Sequence, residues 1–251
     1  MKKLFNKLRL KWFVATNTLR YSSDYLNQTY KIYLNHNKVI HFRDGYPVYS
    51  LSTHALYSKP QANFFARQFY KMITNKNTPN LMSFAVTDEC NADCEHCSFF
   101  DKVDKIKGKT LTLSQSQKLI KDAQELGVSV INFTGGEPLM RKDLSEIINT
   151  VNKDLSTTLL FTNGWFLSEM ARDLKKAGLD SVFVSIDSAD PEKHDAFRST
   201  EGLFAKAMEG INSAKSAGLS TGICCCMTPE ALKEGEFKKI IELGKKTGVH
   251  E

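Results

Sequence analysis

The sequence predicts an α/β fold of parallel strands and right-handed crossovers, preceded by a basic α+β segment. Three observations carry this expectation. After Asn80, apolar runs rich in β-branched and aromatic residues alternate with charged segments of helical period. The conspicuous polar groups directly follow the apolar runs, where the βα loops of a parallel barrel gather function. Charge is also divided unevenly. Residues 1–87 carry thirteen Lys and Arg against only Asp24 and Asp44, a net of +11, and the remainder carries twenty-one against twenty-six, a net of −5. Such a bias bears on partners and solubility rather than on fold.

The 251 residues suit one large domain, or one domain with an appendage. Hydrophobic content of 41% and charge of 25% describe an ordinary globular chain. Of six cysteines, three cluster on one segment and three are consecutive at 224–226. That is the usage of a reducing cytosol, not of a disulfide framework. No uninterrupted apolar run approaches the roughly 20 residues that span a bilayer. The start, Met1 to Leu8, lacks the continuous apolar core of a secretory signal.

From Lys2 to Val14, Leu4, Phe5, Leu8 and Trp12 recur at helical spacing, with Lys3, Lys7 and Lys11 on another flank. This basic amphipathic helix either packs on its own protein, the favoured reading, or lies on an anionic membrane surface. Tyr30–Leu34 and Lys38–Phe42 read as short strands, with turn chemistry at Asn35-His36-Asn37 and Asp44-Gly45-Tyr46-Pro47, so a small hairpin is expected. Ala62–Ile73 reads as a short helix. His36, His41 and His54 have no metal-site spacing and are read as ordinary histidines. Residues 1–79 are thus expected to form a basic extension and residues 80–251 the core.

In the core, strands are expected at Leu81–Val86, Val128–Phe133, Thr157–Phe161, Ser181–Ile186 and Leu219–Met227. Helices are expected at about Ser114–Leu126, Lys142–Asn152, Ser168–Ala177, Leu203–Ala217 and Glu236–Lys246. Thr112-Leu113-Ser114 and Leu167-Ser168-Glu169 supply caps. Ala-Gly-Leu at 177–179 and again at 217–219 ends a helix and begins a strand. Thr247 to Glu251 reads as the start of a sixth strand.

The organising stretch is Cys90-Asn91-Ala92-Asp93-Cys94-Glu95-His96-Cys97, immediately after the first core strand. Three thiols on one loop leave a four-ligand site one ligand short. If His96 completes the set, this is a Cys3His zinc site, and the chain a zinc-binding interaction module. If it does not, the loop can hold a four-iron cluster with one iron open. Spacing alone does not choose. The second stretch is Thr134-Gly135-Gly136-Glu137-Pro138, after the next strand.

C-x-x-x-C-x-x-C after a first strand and G-G-E-P after a second resemble the radical S-adenosylmethionine (SAM) superfamily. The likeness is greatest to the branch of the molybdenum-cofactor cyclisation enzyme and the SPASM-type enzymes, and it runs from about Asn80 to the end. It implies a partial (β/α)6 TIM-like barrel, here ending about one unit early. It also implies an enzyme that reductively cleaves SAM at a 4Fe-4S cluster and uses the 5′-deoxyadenosyl radical on a substrate. On this resemblance Cys90, Cys94 and Cys97 hold the cluster, and the backbone of Gly135, Gly136 and Glu137 accepts the methionyl ammonium. The two glycines permit close backbone approach, and Pro138 stiffens the turn. Ser185 matches a ribose-contacting position and Arg198 an arginine near the SAM carboxylate. The family often has Gly after that arginine, where this chain has Ser199. Asn163 in Thr162-Asn163-Gly164 resembles a family motif, Asp187 follows the fourth strand on the same rim, and His96 packs near the adenine.

Cys224, Cys225 and Cys226 are read as small apolar residues of a crowded strand, with a thiol hydrogen donor or auxiliary ligand as the alternative. No cysteine cluster follows Met227, so auxiliary clusters are not encoded in these residues. The substrate expected is a peptide or small molecule, the alternative being a lipid at the membrane surface. The expected electron donor is a flavodoxin or ferredoxin, and no nucleic-acid partner is expected. The expected location is cytoplasmic, with peripheral contact at the inner membrane face through residues 1–14 as the alternative.

Overall fold

The computed structural model describes residues 39–97, 99 and 110–251. The Lys2–Val14 helix, the Tyr30–Leu34 strand and His36 lie outside these described residues.

Five parallel strands form one sheet in the order of the sequence: β3 (Leu81–Ala85), β4 (Val130–Thr134), β5 (Thr157–Thr162), β6 (Ser181–Ser185) and β7 (Ser220–Cys224). The crossover helices are α2 (Leu113–Leu126), α3 (Leu144–Asn149), α4 (Leu167–Lys176), α5 (Pro191–Phe197) and α6 (Leu203–Ser216); α7 (Pro229–Lys233) and α8 (Glu236–Thr247) follow β7. Strand alternation sends Ile131, Phe133, Leu160, Val182 and Val184 to the helix-covered face, where they pack with Ile120, Leu144, Ile147, Leu174 and Ile211. Val130, Leu159 and Phe183 point to the opposite face and form a second buried cluster with Val48, Leu51 and Ala55. Gly222 sits opposite Phe183 in the ladder, and a Cβ there would lie 2.7 Å from the Phe183 ring. The glycine makes room for that ring, which stacks on Phe161 at 5.0 Å.

Thr112 caps α2 through the expected capping box with Gln115. Gly178 and Gly218 take positive φ just past α4 and α6, as the repeated Ala-Gly-Leu requires. The expected Ser168 cap is not formed. Helix α4 begins at Leu167 after Phe166, with no side-chain cap, so Ser168 lies inside the first turn. His250 and Glu251 bond along β7 to Thr221 and Ile223, at 2.8 Å each, where the start of a sixth strand is expected.

The turn expected at Asp44-Gly45-Tyr46-Pro47 is shorter than read. β1 (His41–Arg43) pairs antiparallel with β2 (Tyr46–Val48) around Asp44-Gly45, both at positive φ. A two-residue Asp-Gly turn of this kind matches strand twist, so Tyr46 and Pro47 belong to a strand and not to the turn. α1 (Lys59–Thr74) is longer than the expected Ala62–Ile73, starting after the Ser58 cap with Pro60 in its first turn. Residues 40–79, read above with the extension, fall in one compact unit with the core, Ile40–Glu251. His54 shows the attachment: its ring nitrogens reach Thr157 Oγ1 at 2.8 Å and Ser129 Oγ at 3.1 Å, at the lower ends of β5 and β4. β7 ends at Cys224, so Cys225 and Cys226 are loop residues and not, as expected, part of the strand.

Candidate functional site

The loops after β3 and β4 are spliced together by their backbones. Gly136 N–H donates to the Thr87 carbonyl at 2.9 Å, and Glu137 N–H to the Glu89 carbonyl at 2.7 Å. A Cβ at Gly135 would lie 2.4 Å from Thr87 O, and one at Gly136 2.2 Å from Glu89 O. The two glycines are therefore required by the chain that enters the cysteine loop, whatever ligand the turn also meets. Arg141 frames the same loop. Its guanidinium donates to the carbonyls of Val86 (2.6 Å) and Leu111 (2.8 Å), on either side of the cysteines, and Asp143 holds it.

The Glu137 side chain turns inward and is 1% exposed. Its carboxylate accepts from Leu139 N–H (2.9 Å), Thr162 Oγ1–H (2.7 Å) and Asn163 N–H (2.8 Å). Burial raises its pKa, and these three hydrogen bonds pull the other way. It thus joins the β4 turn to the β5 loop. From that loop Asn163 Nδ2 reaches Asn91 Oδ1 at 2.8 Å, inside the cysteine segment.

Cys90, Cys94 and Cys97 are free and partly buried, with a turn closed by Cys97 N–H on the Cys94 carbonyl. Burial pushes the Cys90 and Cys94 thiols above their ordinary range, at Cys94 against the opposing pull of Arg198. Arg198 Nη1 lies 3.9 Å from Cys94 Sγ, and its Nε donates to Asp187 Oδ2 at 2.6 Å. Asp187 is buried after β6, and its other oxygen accepts from Cys226 N–H at 2.7 Å. His194 Nδ1 accepts from Asp187 N–H at 3.2 Å, and burial, then the Arg198 charge, lower His194 to about 4. Ser199, after Arg198, has φ +49, the conformation for which glycine is the easiest residue. The local turn is kept at the cost of mild strain.

Ser185 closes β6 opposite Cys224 of β7, with Oγ and Sγ 3.5 Å apart. Cys224 thus points to the same face as Ser185, while its pKa is raised by burial. Asn163, Ser185 and Asp187, with the cysteine loop and the Gly-Gly turn, all lie at the C-terminal rim of the sheet, as the sequence led one to expect. Arg141, Asn91 and His194 were not anticipated. The signal for His194 was its spacing of four from Arg198, which caps the end of the same helix.

The donor set fits a cluster held by three thiolates from one loop. His96 is engaged elsewhere: its ring stacks on Phe197 at 4.2 Å and 8°, with Nε2 3.9 Å from Asp187. Among the described residues, no three His, Cys, Asp or Glu side chains are gathered to hold a single metal ion. No helix among them is long and apolar enough to cross a membrane.

Comparison with known proteins identifies relatives of the chain. A GTP 3′,8-cyclase of Peptoclostridium acidaminophilum is 38% identical over 144 residues, 56% of this chain and 44% of that protein. An AdoMet-dependent heme synthase of Nitratidesulfovibrio vulgaris is 32% identical over 172 residues, 68% of this chain and 46% of that protein. Among solved structures, Streptococcus suis SuiB bound to S-adenosylmethionine aligns with TM-score 0.61 at 14% identity, covering 79% of this chain and 46% of that one. The anSMEcpe structure with bound AdoMet aligns with TM-score 0.54 at 20% identity, covering 67% and 48%. At such identities the structural likeness speaks for the partial TIM-barrel fold alone. The chain spans about half the length of the curated relatives it matches. The zinc-module and lipid-substrate readings gain nothing from these matches. Residues 84–243 match the description Radical SAM superfamily, and the chain belongs to that family, whose enzymes use a 4Fe-4S cluster and SAM.

Proposed function

We propose that this radical SAM enzyme modifies a peptide or small-molecule substrate, with the cluster held by the thiolates of Cys90, Cys94 and Cys97. When bound, the cluster supplies the electron that cleaves the S–C5′ bond of SAM, so that the 5′-deoxyadenosyl radical can take a hydrogen atom from the substrate. The chain's own residues bind and orient. The carbonyls of Gly135 and Gly136 receive the methionyl ammonium, and the guanidinium of Arg198, anchored by Asp187, meets the carboxylate. Ser185 contacts the ribose. Asn163 and His96, steadied by Asn91 and Phe197, flank the adenosine. Glu137 acts as a positioning residue through its buried carboxylate, and Pro138 starts the short 3-10 turn that carries that carboxylate's Leu139 partner. A flavodoxin or ferredoxin is the expected electron donor.

The observation that carries the proposal is the shared rim: three thiols from one loop, the Gly-Gly turn spliced to it and one arginine. The substrate class rests on the relatives. Two are named for GTP cyclisation and heme synthesis, and SuiB and anSMEcpe were solved with a precursor peptide and with the Cp18Cys peptide.

Anaerobic reconstitution tests the site. About four irons and four sulfides per chain are expected, with an electron paramagnetic resonance signal of the reduced protein that shifts when SAM is added. Cys94→Ala should lose most of the iron. A colourless protein holding one zinc, with no response to SAM, would overturn the proposal. Co-sedimentation with anionic vesicles tests the substrate class: salt-sensitive binding lost on deleting residues 1–14 would argue for a lipid instead.

A further inference from the structure

At the end of the sheet away from the cysteine loop, a cavity of about 420 Å3 opens between the hairpin turn, the start of α1 and the loops into β5 and β6. Strands of five and six residues put roughly 17–20 Å between the two ends, so this cavity is separate from the cysteine site. Its walls carry four cations, Arg43, Lys59, Lys153 and Lys175, and three carboxylates, Asp44, Asp154 and Asp180. The formal charges nearly balance, but the hydrogen bonding does not. Lys59 is taken by Asp154 at 2.7 Å. Asp180 Oδ2 is taken by the amide and hydroxyl of Thr158, at 2.7 and 2.8 Å. Arg43 and Lys153 stand 3.9 Å from that carboxylate, too far for a hydrogen bond. Asp44 is exposed at the hairpin tip.

Arg43 is the most telling wall residue. It is 7% exposed, Nη2 donates to Ser181 Oγ at 2.6 Å, and its buried Nε has no hydrogen-bond partner. A buried charged donor left unsatisfied is costly, and it calls for an explanation such as an absent ligand. Lys153 reaches the cavity across Gly178, where a Cβ would lie 2.7 Å from its Cε. Its ammonium donates to Thr158 Oγ1 at 2.9 Å, and burial lowers it to about 8. Lys175, partly buried on the last turn of α4, forms no ion pair among the described residues. The N-terminal end of the sixteen-residue helix α1 contributes Ser58, Lys59 and Pro60 to the wall, with the positive end of its dipole.

We infer that this cavity binds a small phosphate ester, with its phosphate among Arg43, Lys153 and Lys175. Three cations from a strand end, a loop and a helix end suit a tetrahedral dianion, which accepts hydrogen bonds from several sides. The volume is that of a small-molecule site and exceeds what a bare ion needs. The site involves neither thiols nor the Gly-Gly turn, so it stands independently of the cluster chemistry.

Titration calorimetry on the full chain tests it, with ribose 5-phosphate and inorganic phosphate as probes and ribose and acetate as controls. Saturable one-to-one binding is expected for both phosphates and for neither control. Lys175→Gln should weaken it about tenfold with an unchanged melting midpoint, since a single charge-assisted contact is lost. Lys153→Gln should weaken binding about as much, and Arg43→Gln should abolish it. If Arg43→Gln does not fold, the two lysine variants decide. Absence of saturable phosphate binding at millimolar concentration, or wild-type affinity in both lysine variants, would overturn the inference.

Discussion

Replacing Glu137 with Ala removes the acceptor that holds two loops together, and its cost follows from the hydrogen bonds. The carboxylate receives the amides of Leu139 and Asn163 and the hydroxyl of Thr162, all in a site with 1% exposure. The Thr162 hydroxyl can turn to another acceptor, but the two backbone N–H groups cannot. Each buried amide left unsatisfied costs about 1–3 kcal/mol, so Glu137→Ala should lose about 2–6 kcal/mol. Glu137→Gln keeps the volume and one oxygen, and it relieves the desolvated charge. Its amide nitrogen, however, faces the Asn163 N–H, so a loss of about 1–2 kcal/mol is expected. Urea unfolding of the apo chain, read at constant m, should rank wild type above Gln above Ala. An Ala variant within about 1 kcal/mol of wild type would refute the reasoning, because it would mean that the loops are held by something else.

Two further outcomes follow from the same structure. Gly136→Ala places a Cβ 2.2 Å from a backbone carbonyl that has no flexible way out, so the cysteine loop must shift. The variant should fold less stably by at least about 2 kcal/mol and lose the brown chromophore on reconstitution; retention of both would contradict the splice. His54 tests the pH dependence of stability: burial, then the Arg43 charge, lowers it from 6.5 to about 4, so the unfolded chain binds a proton that the native chain does not. Stability should therefore be unaffected above about pH 7 and fall as pH drops from about 6.5 towards 4, by roughly 2 kcal/mol at about pH 5 from this residue. His54→Gln should flatten that part of the profile, and an unchanged acid slope would show that His54 is protonated in the native state.

Much of the core was legible because its signals are local. The β-branched runs, the glycine-terminated helices and the three-thiol loop depend on residues close in sequence. The short helix α5 was missed because seven residues hold too little periodicity, although Asp190-Pro191 offered a cap followed by a first-turn proline. The extent of the turn at 44–47 was misjudged because Asp44, Gly45 and Pro47 are all turn chemistry. The paired positive φ at Asp44-Gly45 confines it to two residues only in the folded chain. The direction of Glu137 was not legible at all. In sequence it is the polar end of a Gly-Gly turn, and its partners at 162 and 163 are some twenty-five residues away. Arg43 is a similar case, since its role depends on Ser181 and Asp180 across the sheet.

The central claim is that the three thiols serve reductive cleavage of SAM. The most direct measurement is 5′-deoxyadenosine formed by the reconstituted protein with dithionite and SAM, quantified by mass spectrometry beside the Cys94→Ala variant. The wild-type chain should release 5′-deoxyadenosine and methionine in equal amounts, and the variant neither. A wild-type protein that carries a full complement of iron and sulfide yet makes no 5′-deoxyadenosine would contradict the account.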